Sequence, residues 1–346
     1  MGAACYNERV IFLHDFYWRQ IVGTKEQILA LFEKNKGEYF SGEEIAEKLS
    51  ISRAAVWKAV NGLRSEGYHI DAVQNKGYSL SVETDILSVQ GIQKYLRPVC
   101  SGIQLDVLPT LDSTNTLVRE RAAAGAPEGY TVIANGQTNG RGRSGRSFYS
   151  PSDTGVYMSL LLRPHHYSAG QAAGLTTMAA VAICEAIEAV SGEKAQIKWV
   201  NDIYVAGKKV SGILTEASIG LEDGFVEYAV LGIGINVSMP ESGFPEELEA
   251  IAGAVFGEAQ SDAKNRLAAE FLNCFMSYYA ASGQADYVEN YRSRSLVIGR
   301  EVYVITTDGS RKAFVFDVDE ACHLIVKYED GTTESLSSGE ISVKLS

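Results

Sequence analysis

Residues 24–81 carry three short helical patterns, a two-residue link and a strand pair, and few folds accommodate that order. Thr24 with Gln27 predicts a capping box, and Ile28, Leu31 and Phe32 give the first helix its apolar face. Ser41 with Glu44 repeats the start signal, and Ile45 and Leu49 line the second helix. After the tight link Ser50-Ile51, Ser52 is the expected cap of a third helix. Val56, Val60 and Leu63, at i, i+4 and i+7, then face inward, and Gly67 suits the stop. "YHIDAV" and "YSLSV", joined by "QNKG", read as two strands. Helix, helix, tight turn, helix and hairpin make a winged helix-turn-helix.

In such a module the third helix enters the major groove of DNA. Its outer stripe here is Arg53, Trp57, Asn61 and Arg64. From Ser50 to Ser65 there are three cations and no acid, although the whole chain has a formal net charge of −12. Segment 24–81 balances eight basic against eight acidic residues, so the charge deficit lies elsewhere. The expected DNA-facing set is Ser52, Arg53, Ala54, Trp57, Lys58, Asn61 and Arg64, with Lys76 in the hairpin. The same caps and faces would also serve a protein-interaction module. Trp57 has a second reading, as a ring stacked on a neighbouring helix.

At 346 residues the chain has room for two or three domains. Four segments are expected: an extension over 1–22, the winged helix over 23–83, a central domain over 84–294 and a small C-terminal domain over 295–346. The first 22 residues lack a basic start, and His14, Asp15 and Arg19 interrupt their apolar run, which makes a poor signal peptide. The natural chain is expected to begin near Val22. No apolar run is expected to approach the roughly 18–20 residues of a bilayer span, and no membrane partner is expected. The five cysteines are scattered, odd in number and without a C-x-x-C pair, so a disulfide framework or zinc site is not expected and a cytoplasmic location is. The histidines offer no metal-ligand spacing, and His165-His166 read as a loop.

In the central region strand and helix patterns alternate, which predicts an α/β (α+β) domain with a mixed sheet. Strands are expected at "IQLDVLP", "YTVIANGQ" and "GVYMSLLLRP", and helices at "TNTLVRERAAAG" and "AGLTTMAAVAICEAIEAVSG". A short helix is expected over Val89–Leu96, and further helices at about 262–281 and 284–293. "GRGRSGR", residues 140–146, matches G-x-G-x-x-G through Gly140, Gly142 and Gly145. A dinucleotide fingerprint needs a helix after the glycines, to hold the pyrophosphate at its N-terminus. Here turn residues and another strand follow, and no G-K-[ST] is present, so Rossmann and Walker A readings both fail. What remains is a glycine-rich cationic loop between strands. Its Arg141, Arg143 and Arg146 suit carboxylate or phosphate oxygens. A solvated surface loop is the plain alternative.

Other segments are weak alone. "LDSTN" (111–115) is by itself a helix cap, "KWVND" (198–202) puts Lys198 at a strand end, and "GIGIN" (232–236) is a buried-type strand with a terminal Asn. In this order, together with "SGEEIAEKLSISRAAVWKAVNGLRSEGY", "KGYSL", "GQTNGRGRSGRSFYSP", "KVSGILTE" and a terminal "GEIS", they resemble the biotin protein ligase family. The leading winged helix is similar to its bifunctional bacterial form (the BirA type), both ligase and repressor of the biotin operon. The resemblance runs from about residue 24 to 342. Val200 stands where the family's K-W-P-N-D pattern has proline, and residues 1–22 have no counterpart.

That resemblance implies a two-step reaction. Biotin's carboxylate attacks the α-phosphorus of ATP, and a lysine of a biotin carboxyl carrier domain then takes biotin from the adenylate. It implies Lys198, Arg141 and Arg143 as the catalytic cations, with Mg²⁺ carried on ATP and no dedicated protein site for it. Ser113, Thr114, Asn115 and Gln137 match positions that hold biotin's ureido end, and Gly142 joins Arg141, Arg143 and Lys198 around the ligand. Gly140, Gly145 and Arg146 complete an adenylate-covering loop. Asn201, Asp202 and Asn236 are expected near phosphate or metal. Biotin operator DNA and a ligand-promoted homodimer are the further partners implied. The C-terminal run, with turns at Asp308-Gly309, Asp319-Glu320 and Asp330-Gly331, predicts about five strands, an SH3-like barrel in the family. Two alternatives stay open: a lipoate or octanoate ligase or transferase of the same fold, and a ligand-sensing transcription factor without catalysis.

Overall fold

The computed structural model describes residues 23–220, 224–281, 286–306 and 309–342. Expectations for residues 1–22, including Cys5, and for Asp308 lie outside the described residues. The chain divides into two compact units, with the division between Lys94 and Tyr95. The expected boundary after residue 83 falls inside the first.

The first unit holds α1 (Thr24–Lys34), α2 (Gly42–Leu49), α3 (Arg53–Ser65), the hairpin β1 (Ile70–Val73) and β2 (Gly77–Leu80), and α4 (Val89–Gln93). Ser41 Oγ accepts from the Glu44 amide at 3.1 Å while Glu44 accepts from the Ser41 amide at 2.7 Å, the reciprocal pair predicted for α2. Ser50 takes a left-handed conformation (φ 56°) at the end of α2, which turns the chain at once into the Ser52 cap of α3. Helix α1 departs from expectation. Thr24 is already helical, Gly23 occupies the cap position, and no side chain caps the helix there. Ile28, Phe32, Ile45, Val56, Val60, Leu63, Ile70 and Leu80 close one core beneath the helices and hairpin. Helix α4 stops at Gln93, short of Leu96. Lys94 then reaches a fully buried Glu33 carboxylate at 2.7 Å, and Lys36 reaches it at 3.4 Å while donating to the Thr84 carbonyl at 2.9 Å. These contacts fasten residues 84–94 to α1 and explain why they belong to the first unit.

The second unit holds a seven-stranded sheet in the order β3-β4-β5-β9-β8-β7-β6. The strands are β3 (Gln104–Leu111), β4 (Tyr130–Gln137), β5 (Gly155–Leu162), β6 (Ala195–Lys198), β7 (Asp202–Val205), β8 (Lys208–Ile219) and β9 (Val226–Asn236). β3 and β4 are parallel, across α5 (Thr114–Ala123), and all other neighbours are antiparallel, so the sheet is mixed. In the central pair, residues opposite one another share a face: Ser159, Gly232 and Leu214 on one, Leu160, Leu231 and Thr215 on the other. α6 (Ala169–Ser191) covers the second face, where Thr176 Oγ1 meets Thr215 Oγ1 at 2.7 Å. Helix α5 covers the first, through Val118 and Ala122 against Val132, Leu161 and Val230.

Helix α6 corrects one expectation. Gly170–Ser191 is 22 residues long and apolar enough by composition to cross a bilayer, but 61% of its most apolar window is buried inside the protein. It is apolar because the sheet covers one side of it and α8 (Ala263–Ala280) packs on it too. α7 (Glu246–Glu249) and α9 (Asp286–Ser293) complete the helices of this unit. The C-terminal strands β10 (Glu301–Thr306), β11 (Gly309–Val318), β12 (Leu324–Tyr328), β13 (Thr333–Leu336) and β14 (Glu340–Ser342) form a five-stranded antiparallel sheet in the order β13-β12-β11-β10-β14. Their alternation buries Val302, Val304, Ala313, Val315, Leu324 and Val326.

Candidate active site

Between the sheet face that carries Gly232, the arginine loop and β14 lies a cavity of about 750 Å³, the size of a drug-like or nucleotide-sized ligand. Ser113, Thr114, Asn115, Gln137, Arg141, Gly142, Arg143, Arg146, Lys198, Asn201, Asp202 and Asn236 all line it. They come from five stretches of the chain, at 113–115, 137, 141–146, 198–202 and 236. Gly140 and Gly145 do not line it. A side chain on Gly140 would strike the Phe148 carbonyl and Ser150, and Gly145 sits at φ 74° in the turn.

One end is polar and uncharged. Ser113 occupies the cap position of α5 without a side-chain capping bond, and Thr114 and Asn115 lie in the first turn of that helix. Gln137 Oε1 accepts from the Thr114 amide at 2.9 Å, and Gln137 Nε2 donates to Ser150 at 3.0 Å. Ser159, wholly buried on β5, lies 2.7 Å from Thr114 Oγ1 and 2.6 Å from Asn115 Oδ1. The floor beside them is apolar and carries little side chain. Side chains at Gly232 and Gly234 would collide with Asn115 and with the Phe148 ring, so only glycine leaves those groups where they are.

The other end is cationic. Among the described residues Arg141, Arg143, Arg146, Lys198 and Lys209 line the cavity against a single lining carboxylate, Asp202. In a chain of net charge −12 this local excess selects an anionic ligand. The loop closes on itself: the Gly142 amide donates to the Arg146 carbonyl at 2.7 Å, and the Phe148 amide to the Gly140 carbonyl at 2.9 Å. Arg143 donates to Asn201 Oδ1 at 3.0 Å and to the Gly339 carbonyl at 3.4 Å, joining the loop to β14's approach. Arg141 pairs with Glu216 at 3.0 Å. Lys198 has no hydrogen-bond or ion-pair partner among the described residues, and its ammonium is available to a ligand. Asp202 is taken up by Lys209 at 2.6 Å, and Asn236 Nδ2 donates to the Gly253 carbonyl at 3.0 Å. Burial, then the Asp202 carboxylate, pushes the Tyr204 phenol up to about 12, so it stays neutral at the cavity wall.

At "KWVND" the Trp199–Val200 peptide bond is cis. Trp199 is buried and its Nε1 donates to the Cys322 carbonyl at 3.0 Å, while the Tyr291 hydroxyl donates to the Val200 carbonyl at 3.2 Å. The β11–β12 connection and the helix Asp286–Ser293 therefore brace the turn that presents Lys198.

Sequence reasoning missed Ser159, Glu216, Lys209, Tyr204 and Phe148. Phe148, Tyr204, Lys209 and Glu216 lay inside or beside the quoted motifs, but nothing local marks what they touch. A lone Ser in the apolar run "GVYMSLLL" was the available signal for Ser159.

In the first unit Arg53, Ala54, Trp57 and Lys58 are exposed on α3, Lys76 is exposed in the hairpin and Asn61 is half-buried. Trp57 is 63% exposed, which removes the reading as a ring packed on a neighbouring helix. Arg64 is exposed yet committed: its guanidinium donates to the Ile70 carbonyl at 3.0 and 2.6 Å and ties α3 to β1.

The chain matches the Biotin/lipoate A/B protein ligase family over residues 107–236, an HTH domain over 24–79 and the Biotin protein ligase C terminal domain over 297–344. It is 35% identical to the bifunctional ligase/repressor BirA of Bacillus subtilis, over 91% of this chain and 97% of that one. It is 30% identical to the protein of that name from Escherichia coli, over 89% and 94%. A solved biotin protein ligase from Aquifex aeolicus, in complex with biotin and ATP, covers 69% of this chain and 97% of its own, at 26% identity and a TM-score of 0.58.

Proposed function

This chain belongs to the biotin protein ligase family, in its bifunctional ligase and repressor form, and from that premise we propose how its residues carry both activities. It uses ATP to activate biotin and passes biotin to a carrier protein. The observation that carries the reading is one cavity with a neutral polar end, a glycine floor and five cations.

In the first step a biotin carboxylate oxygen bonds to the α-phosphorus of ATP, and pyrophosphate leaves with the electron pair of the broken P–O bond. Two anions approach, so fixed positive charge must stabilise the transition state. Lys198, whose ammonium has no partner among the described residues, and Arg143, steadied by Asn201 and Gly339, supply it. Arg141 exchanges part of its Glu216 pairing for the ligand. Thr114, Asn115 and Gln137 meet the urea ring, whose donors and acceptors match hydroxyl and amide groups. The loop at 140–146 then covers the adenylate and keeps water from the anhydride. In the second step a lysine amine of a biotin carboxyl carrier domain bonds to the biotinyl carbonyl carbon, and AMP leaves with the electron pair.

Mg²⁺ enters on the ATP phosphates in this reading. Among the described residues no three His, Cys, Asp or Glu side chains stand together to hold an ion, and Asp202 is already paired with Lys209.

The first unit supplies the repressor activity. Arg53, Lys58 and Lys76 meet operator phosphates, and Trp57 and Asn61 lie on the same helix face. Adenylate in the cavity favours a homodimer that binds two half-sites, and unmodified carrier protein relieves repression by consuming adenylate. Four free thiols among the described residues suit a reducing cytoplasm.

Pyrophosphate release by the purified protein with ATP and Mg²⁺ tests the ligase reading. Release that requires biotin is expected. Release with lipoate or octanoate instead would transfer the site to the sister chemistry, and silence with every acid, from protein that binds biotin, would leave a sensor.

A further inference from the structure

Ser159 Oγ is wholly buried, directly opposite Gly232, and lies within 2.7 Å of Thr114 Oγ1 and 2.6 Å of Asn115 Oδ1. Thr114 Oγ1 is also 3.1 Å from Gln137 Oε1. Three contacts therefore share the hydrogens of two hydroxyl groups.

Asn115 settles which contacts hold them. Its Nδ2 lies 2.8 Å from a Glu216 carboxylate oxygen and 3.3 Å from the Leu214 carbonyl, and both of those only accept. The amide nitrogen must face them, and Oδ1 must face Ser159. An amide oxygen cannot donate, so the single Ser159 hydrogen goes to Asn115. Ser159 Oγ is then an acceptor towards Thr114, and the 2.7 Å contact draws the Thr114 hydrogen inward. Gln137 Oε1 still has the Thr114 amide at 2.9 Å. Donation runs from Thr114 to Ser159 to Asn115 to Glu216. Thr114 lines the cavity, and its Oγ1 is left with lone pairs and no hydrogen for a ligand.

We propose that Ser159 and Glu216 are positioning residues that make Thr114 a hydrogen-bond acceptor for an N–H of the ligand's urea ring. This rests on the biotin reading above. Neither side chain lines the cavity; they act through Asn115 and Thr114. The Glu216 carboxylate, the nearer of the two groups that can only accept from Asn115 Nδ2, gives the relay most of its direction. A lipoyl or octanoyl chain has no N–H at that end and would leave the buried acceptor unmatched, so the relay also discriminates among acids.

The test is the dissociation constant for biotin, by titration calorimetry on the full chain, with a melting curve for each variant. Cysteine matches serine in size but is a weak donor. Ser159→Ala and Ser159→Cys are both expected to weaken biotin about tenfold. In a Thr114→Val background, Ser159→Ala is expected to cost nothing more. Wild-type affinity in Ser159→Cys, or full additivity in the double variant, would overturn the role of Ser159. Glu216→Gln leaves the longer Leu214 carbonyl contact, at 3.3 Å, as the one obligate acceptor for Asn115 Nδ2 and so weakens the bias of the relay. The preference for biotin over an analogue with ring oxygen in place of a urea N–H is expected to shrink about tenfold. An unchanged preference would overturn the role of Glu216. If the wild-type chain bound no biotin, the proposal would fall together with the reading it rests on.

Discussion

Asn115 Oδ1 fills the space that a side chain on Gly232 would need. The two residues come from α5 and β9, and Ser159, paired with Gly232 across the sheet, holds Asn115 from below. A methyl group on Gly232 must displace the amide or deform the central strand. Gly232→Ala is therefore expected to weaken biotin more than tenfold and to cost about 1–3 kcal/mol of stability. Calorimetric titration and a melting curve check both.

Arg143 spans the loop, the Lys198 turn and the approach to β14. Arg143→Ala is expected to slow adenylation about 10²–10³-fold, the usual cost of one fixed transition-state charge or donor. It is also expected to release biotinyl-AMP from the enzyme, since the loop loses its anchor to Asn201. Burst measurements of pyrophosphate and chromatography of free adenylate check this. Normal retention of adenylate would refute the covering role of the loop.

Arg53 and Lys58 are exposed on α3 in a segment without acids. The double variant Arg53→Ala, Lys58→Ala is expected to lose operator binding and to lower the salt slope of binding by about 0.9 for each phosphate contact removed. Biotin-dependent pyrophosphate release is expected to stay at the wild-type rate. Loss of ligation as well would point to coupling between the two activities.

Glu33 is a buried carboxylate held by Lys94 and Lys36. Lys94→Met is expected to destabilise the first unit by about 2–3 kcal/mol, because half of the compensation for a buried charge is gone. Adding Glu33→Gln is expected to recover part of that loss. Thermal unfolding of the full chain, followed at the first-unit Trp57, reads the effect.

Burial pushes the Cys100 and Cys322 thiols up to about 11 and the Cys274 thiol up to about 12, from an ordinary value of 9.0. The folded state thus holds protons that the unfolded state releases. Stability from this source is complete below about pH 9 and falls as pH rises through about 9 to 12. Melting temperatures across pH 7–11 are expected to be flat and then to decline. At pH 8 these thiols are expected to react slowly with iodoacetamide until the protein is unfolded, as peptide mass spectrometry would show.

Local spacing made much of the architecture legible. The Ser41–Glu44 box, the Ser52 cap and the i, i+4, i+7 face of α3 are all properties of residues within one or two turns of each other. Where local signals competed, boundaries moved. Thr24 lost the cap to Gly23, and α4 ended early where Lys94 turns back to Glu33. Arg141, Arg143 and Lys198 were legible as a loop and a lysine motif and were joined in one site only through the resemblance, whereas Lys209 carried no such signal.

The sequence by itself determined the order of elements, the winged helix, the glycine-rich arginine loop between strands and the family to which they belong. Each of these is written in short-range periodicity or in contiguous motifs. Only the tertiary structure decided what the charges and hydroxyls face. Ser159 meets Asn115 from 44 residues away, Arg141 meets Glu216 across 75, and Asn115 meets Glu216 across 101. Those pairings depend on the register of β5, β9 and β8. Strand register is set by burying the central strands of the sheet between α5 and α6, a cooperative choice that no single segment carries.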